Sequence, residues 1–274
     1  MKALTKLLTA AALFAVSTAS AQHTVKQVWA TDSVLAIPES VYADGKILYV
    51  ALIDGKPWDH DGKGGIARLS ADGKIMNDSW ITGLNSPKGM AKHNNTLYVA
   101  DMDEVVAIDI KKGVVSKKTK ISGAEWLNDV TTDTKGIVYV TDSKNGKVFK
   151  VEGDNSTLYL DNLKGINGIK YVSGNLYIVT GDGVYKADAA KTVSKLAVLE
   201  HGGDGIEPVG NGDFIVSAWQ GYMYYVQANG TKTTILDTEK AGKQTADIGY
   251  DAKTRTIYVP TFFGKSVVAY RLEK

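Results

Sequence analysis

A short pattern that returns six times limits what this chain can fold into. Ile47-Leu48-Tyr49-Val50, Thr96-Leu97-Tyr98-Val99, Ile137-Val138-Tyr139-Val140, Asn175-Leu176-Tyr177-Ile178, Asp213-Phe214-Ile215-Val216 and Thr256-Ile257-Tyr258-Val259 share one apolar-aromatic theme. Their aromatic residues lie at 49, 98, 139, 177, 214 and 258, spaced by 49, 41, 38, 37 and 44 residues. That period matches a four-stranded propeller blade. Each run is rich in β-branched and aromatic residues and follows a turn, such as Ala43-Asp44-Gly45-Lys46 or Gly210-Asn211-Gly212. The chain has only 5 prolines and shows no long 3.6-residue periodicity, which leaves little room for helices.

Six such units predict an all-β, six-bladed β-propeller whose inner strands surround a channel. A solenoid is the alternative, but regular four-strand units of this length more often close. The ring must be sealed. The segment Val25 to Thr31 has no blade of its own and is expected to pair beside Ser266 to Leu272, covering an otherwise bare edge.

The ends and the composition set further bounds. Lys2 and Lys6, an apolar run from Leu7 to Val16 and Ala19-Ser20-Ala21 read as a secretory leader over residues 1–21. The expectation is an exported protein, periplasmic or secreted, with one propeller domain over 22–274. The apolar run is too short to span a bilayer, so no membrane insertion is expected after cleavage. There are 0 cysteines, which excludes a disulfide scaffold, a lipoprotein anchor and a cysteine nucleophile. Cleavage removes two lysines and leaves 30 basic against 30 acidic residues, so no field steers the chain to nucleic acid. The expected partner is a small molecule, and the expected state a monomer.

Aligning the blades on their aromatic strands exposes a second pattern. Ten to twelve residues upstream of each aromatic stands a triplet: Glu39-Ser40-Val41, Lys88-Gly89-Met90, Asn128-Asp129-Val130, Asn167-Gly168-Ile169, Asp204-Gly205-Ile206 and Ala246-Asp247-Ile248. The apolar third member fits an innermost strand packed between blades. The first members then face one another at one channel mouth. Four of those six, Glu39, Asn128, Asn167 and Asp204, offer the carboxylate or amide oxygens that hard cations prefer. Taken singly, Asn-Gly, Asn-Asp and Asp-Gly are ordinary turn dipeptides. Glu39 is a poor turn former, and two carboxylates converging on a narrow mouth call for a cation between them.

In that order and spacing, Pro38-Glu39-Ser40-Val41, Asn128-Asp129 with Val138-Tyr139-Val140-Thr141-Asp142, Asn167-Gly168-Ile169 and Asp204-Gly205-Ile206 resemble the senescence-marker-protein (regucalcin), gluconolactonase and luciferin-regenerating-enzyme family. The resemblance covers essentially the whole chain after the leader. It implies one divalent metal ion, calcium first, with zinc, magnesium or manganese as alternatives. Glu39, Asn167 and Asp204 would be its ligands, Asp204 doubling as the catalytic acid/base, and Asn128 would help hold substrate; Lys88, from its own place in the ring, is expected to orient substrate beside it. The implied activity is hydrolysis of a small cyclic ester or sugar-derived lactone; the alternative is a non-catalytic propeller that binds a ligand, glycan or protein on its loop face. The chain departs from the family where proline precedes Glu39, where no arginine occurs between Ile121 and Leu127, and where Lys88 enters the ring. A salt bridge from Lys88 to Glu39 is one expectation.

Other chemistries lack their signatures. There is no phosphate loop and no Gly-x-Ser-x-Gly elbow. The polar insertion Asp54–Gly65 is expected as a loop or partial lid on the ring's face, with Trp58, His60, Trp219, Phe262 and Phe263 at corresponding positions that can wall a pocket. His201, three residues before Asp204, is the one histidine placed to matter.

Overall fold

The computed structural model describes residues 23–274. The expected leader, 1–21, lies outside the described residues. Among them, strands form six antiparallel sheets of four, and the helical pieces are two short 3₁₀ turns, Glu239–Ala241 and Phe262–Gly264. Each of the first five sheets uses four consecutive strands joined by hairpins. Blade 1, for example, runs Pro38–Asp44, Ile47–Leu52, Gly64–Ser70 and Ile75–Leu84 from the channel outward.

The innermost strands are Pro38–Asp44, Pro87–His93, Leu127–Thr132, Ile169–Val172, Ile206–Gly210 and Gly249–Asp251. Each touches the next and the last touches the first, so the six blades form a closed ring. The repeated aromatic residues sit on the second strand of every blade, and Tyr49, Phe214 and Tyr258 are almost wholly buried between neighbouring sheets. Period-two alternation sends Tyr49 and Ala51 into the core on one face of their blade and Leu48 and Val50 into the core on the other.

The sixth blade is completed from the other end of the chain. Thr24–Ala30 pairs antiparallel with Val267–Glu273, from Thr24 opposite Glu273 to Ala30 opposite Val268, with a bulge between Gln27 and Trp29. Trp29 fastens this closure: its indole N–H donates to the Ala71 carbonyl at 3.2 Å, and its ring lies 5.9 Å from that of Tyr258. The expected closing strand is thus present in the expected place.

Candidate functional site at one mouth of the channel

The first members of the six triplets stand where the chain enters, or is about to enter, the innermost strand of each blade. Glu39, Asn128 and Asp204 are each 4 % exposed and Lys88 is 2 % exposed, while Asn167 is partly buried. Their polar groups are close enough to act on one another. Burial drives the Glu39 carboxyl well above the ordinary carboxylate range; the Lys88 ammonium opposes this, and the carboxylate of Asp204 reinforces it. Burial, and then the Asp247 carboxylate, push Asp204 up to about 7, with the Asn167 amide and Lys88 pulling it back. Burial likewise lowers Lys88, against the pull of Glu39, Asp101 and Asp204.

Three oxygens at this mouth have no hydrogen-bond partner although they are buried: Oε2 of Glu39, Oδ1 of Asn128 and Oδ1 of Asn167. A buried acceptor left unsatisfied costs about 1–3 kcal/mol, so three at one site call for a donor or a cation. Their chemistry suits a hard divalent ion, with Asp204 as a further charged oxygen. Among the described residues no three or more His, Cys, Asp or Glu side chains are arranged to hold a metal ion by themselves, so a cation here would rest on amide as well as carboxylate oxygens.

Lys88 does not bridge to Glu39. Its ammonium donates to Ser86 Oγ at 2.8 Å and sits 4.0 Å from the centre of the Trp58 ring. That indole, brought over the mouth by the 54–65 insertion, stacks in turn on Trp126 at 4.9 Å. The backbone N–H of Trp58 also reaches Ser86 Oγ, at 3.4 Å, and Trp58 holds a left-handed φ of 69°. A cation–π contact explains the arrangement: the ring face gives a desolvated ammonium a partner where its neighbouring carboxylates act on it without an ion-pair contact. The insertion therefore acts as a cover over one side of the ring, and His60 within it is exposed.

The loops that carry these residues are pinned by two aspartates, Asp101, which no motif singled out, and Asp142, noted above only as the end of a motif. Asp101 accepts backbone N–H groups from Asn85 and Ser86, the latter at 2.7 Å. Asp142 accepts those of Glu125 and Trp126 at 3.2 and 3.3 Å. Both stand three residues after the blade's aromatic, in Tyr98-Val99-Ala100-Asp101 and Tyr139-Val140-Thr141-Asp142, a repeat that marks them. His201 belongs elsewhere: its ring stacks on Tyr222 at 4.0 Å.

On the sixth sector the ring turns apolar. Ala246 is fully buried in a cluster with Ile53 and Phe262, and Ile37 packs on it. Trp219 and Phe263 extend this patch outward and are 38 % and 57 % exposed. The expected aromatic wall is thus split between Trp58, beside Lys88, and the Trp219 group, beside Ala246.

No protein-family model matches the sequence, and no curated protein does. Solved structures share the architecture. A virginiamycin B lyase from Staphylococcus aureus superposes with a TM-score of 0.65 at 14% identity, covering 92% of this chain and 100% of its own. A luciferin-regenerating enzyme does so with a TM-score of 0.62 at 13% identity, covering 92% and 96%. At these identities the likeness is one of fold.

Proposed function

We propose that this protein is a metal-dependent hydrolase of a small cyclic ester, working at the Glu39–Asn128–Asn167–Asp204 mouth. The observation that carries the reading is the set of unpartnered buried oxygens on Glu39, Asn128 and Asn167 beside a carboxyl that titrates near neutrality. A divalent cation held by Glu39, Asn167 and Asp204, calcium first, would supply a Lewis acid for the ester carbonyl and acidify a water. The rest falls to the chain. Asp204 takes a proton from the attacking water and returns it to the ring oxygen as the C–O bond breaks, giving a hydroxy acid. In the metal-free chain burial raises this carboxyl to about 7; a bound cation would lower it, so the proton transfer falls to an Asp204 oxygen not engaged by the ion. Asn128 orients the ester, and Lys88, once uncovered, adds a positive charge beside the developing oxyanion. The lyase and the luciferin-regenerating enzyme support the reading only in that this architecture carries enzymatic sites in them. Exported behind its leader, such an enzyme would meet a small-molecule substrate outside the cytoplasm, as a monomer.

One observation favours a second reading, a non-catalytic ligand-binding propeller. Trp58 covers Lys88, and the ring beneath is almost fully buried. A single experiment separates the two. Chelator-treated protein is assayed on lactones with calcium, magnesium, manganese or zinc restored, and its melting temperature is followed alongside. The hydrolase requires metal-restored turnover, lost by a factor on the order of 10²–10⁴ in Asp204→Asn. Glu39→Gln should abolish most of the metal-induced rise in melting temperature. Metal binding without turnover of any lactone moves the assignment to the binding protein.

A further inference from the structure

The mouth is polar on five sectors and apolar on the sixth, and that asymmetry bears on what the substrate looks like. Asp204 is tied by its backbone N–H to the carbonyl of Ser217 at 2.7 Å, and Trp219 follows two residues later on the same chain. Thr245, next to Ala246, donates its backbone N–H to the Trp219 carbonyl at 3.4 Å. From the other side Ile37, two residues before Glu39, packs on the cluster of Ile53, Ala246 and Phe262. The apolar patch therefore continues from the walls of Glu39 and Asp204 out to the surface, with no polar residue of the ring between.

The outer part of this patch is built, not incidental. Trp219, Phe262 and Phe263 meet edge to face, with ring centres 5.7, 6.2 and 4.8 Å apart. Phe262 holds a φ of 50°, a conformation that a bulky residue adopts only under constraint. The constraint is visible. Lys265 and Gly264 donate their N–H groups back to Phe262 and Thr261, and the Thr261 hydroxyl bonds the Ser266 carbonyl at 2.9 Å. Such strain is of order 1–3 kcal/mol and persists only where the surroundings impose it. Here it turns Phe262 inward onto Ala246 and leaves Phe263 and Trp219 facing solvent beside the mouth. Two large aromatic side chains that could have been polar without loss to the core are instead exposed together.

We propose that Trp219 and Phe263 form a subsite for an apolar substituent, so that the substrate is an alkyl- or aryl-substituted lactone and not a polyhydroxylated sugar lactone. This rests on the hydrolase reading for the identity of the polar head, while the apolar tail is assigned from the patch alone. A tail lying on the aromatic pair leaves water as the ester group enters the mouth, whereas sugar hydroxyls would lose water there and find no polar partner.

The test uses the full chain with calcium, and measures both binding by calorimetry and hydrolysis for γ-butyrolactone, longer γ-alkyl lactones up to γ-decanolactone, and glucono-δ-lactone. Affinity should rise with the alkyl chain, by at most roughly fourfold per buried methylene. The double variant Trp219→Ala/Phe263→Ala should lose at least tenfold in affinity for γ-decanolactone and leave γ-butyrolactone unchanged; Trp219→Phe should retain most of the gain. Trp219 also packs on Phe262, so melting curves are taken alongside, and unchanged binding of γ-butyrolactone by the double variant separates loss of the subsite from loss of folding. Length-dependent binding without hydrolysis would uphold the subsite and remove the hydrolase. Hydrolysis without length dependence, preference for glucono-δ-lactone, or no binding of any of these would overturn the subsite.

Discussion

The channel carries two successive rings, one residue apart in sequence, and they are built on opposite terms. The outer ring holds Glu39, Lys88, Asn128, Asn167, Asp204 and Ala246, and three of its buried oxygens lack any partner. The inner ring holds Ser40, Gly89, Asp129, Gly168, Gly205 and Asp247, and both of its carboxyl groups accept hydrogen bonds from the protein. Asp129 accepts the N–H of Val130 and, across to blade 4, that of Ile169, both at 2.7 Å. Asp247 accepts the Ser40 hydroxyl at 2.5 Å, across from blade 6 to blade 1. The glycines make room for this: a methyl group on Gly89 would come within 2.1 Å of the Asp129 carboxylate, and one on Gly205 within 2.3 Å of that of Asp247. Equal burial thus serves two ends. The inner ring latches blades together, and the outer ring leaves three buried acceptors without a protein partner.

The sharpest way to break this contrast is to truncate two neighbours on one strand. Asp129→Ala strips an acceptor from two buried N–H groups and leaves Lys170 short of a counter-charge, so the loss of stability should be about 3 kcal/mol. Asn128→Ala removes an oxygen that has no partner, and stability should move by no more than about 0.5 kcal/mol, while affinity for a bound ester falls. Urea titrations of the two variants decide the matter. Similar losses in both would mean that the outer ring is structural too.

The six-blade ring and its closing strand were legible in the sequence because both follow from a repeat within the chain. The inner ring was not. Asn128-Asp129 and Asp204-Gly205 read locally as turn dipeptides, yet Asn128 and Asp129 lie within a strand and Gly205 is set by a carboxylate from the next blade. Such partners lie about forty residues away, where dipeptide chemistry says nothing. The ion pair of Lys170 with Glu207, 2.7 Å apart further down the channel, is hidden in the same way, although both stand three residues after outer-ring positions. The direction taken by Lys88 depended on the path of the 54–65 insertion, and no pattern in that segment fixes where Trp58 comes to rest.

A smaller effect sharpens the contrast through pH. Burial raises Asp129 to about 7, with Lys170 and its two backbone donors holding it down. An unfolded aspartate ionises near 3.9, so the folded chain keeps this proton longer. The stability it contributes is fully present below about pH 4 and is lost as pH rises through about 7. Denaturation midpoints should therefore fall across that window in metal-free protein. Asp129→Asn should flatten the fall, whatever its effect on absolute stability. An unchanged slope in the variant would assign the pH dependence to other groups.

A milder substitution than either at Asp129 falls on Ser40, which stands in the inner ring beside Glu39. Its hydroxyl gives Asp247 a short hydrogen bond and nothing to the outer ring. Burial holds Asp247 well above the ordinary carboxylate range, and the Ser40 hydroxyl is among the groups that favour its charged form. Ser40→Ala removes that support with little change in volume, so the loss should be about 1 kcal/mol. Its sign with pH follows from the charge. Without the donor Asp247 binds its proton more tightly in the folded state, so the deficit should grow as pH rises and shrink in acid. The rise in melting temperature produced by calcium should be the same in Ser40→Ala as in the parent protein, because every oxygen proposed to meet the ion lies on the outer ring. Melting curves with and without calcium, taken at pH 5 and pH 8, measure both quantities. A calcium response that falls with Ser40 would join the two rings into one site and end the distinction drawn between them.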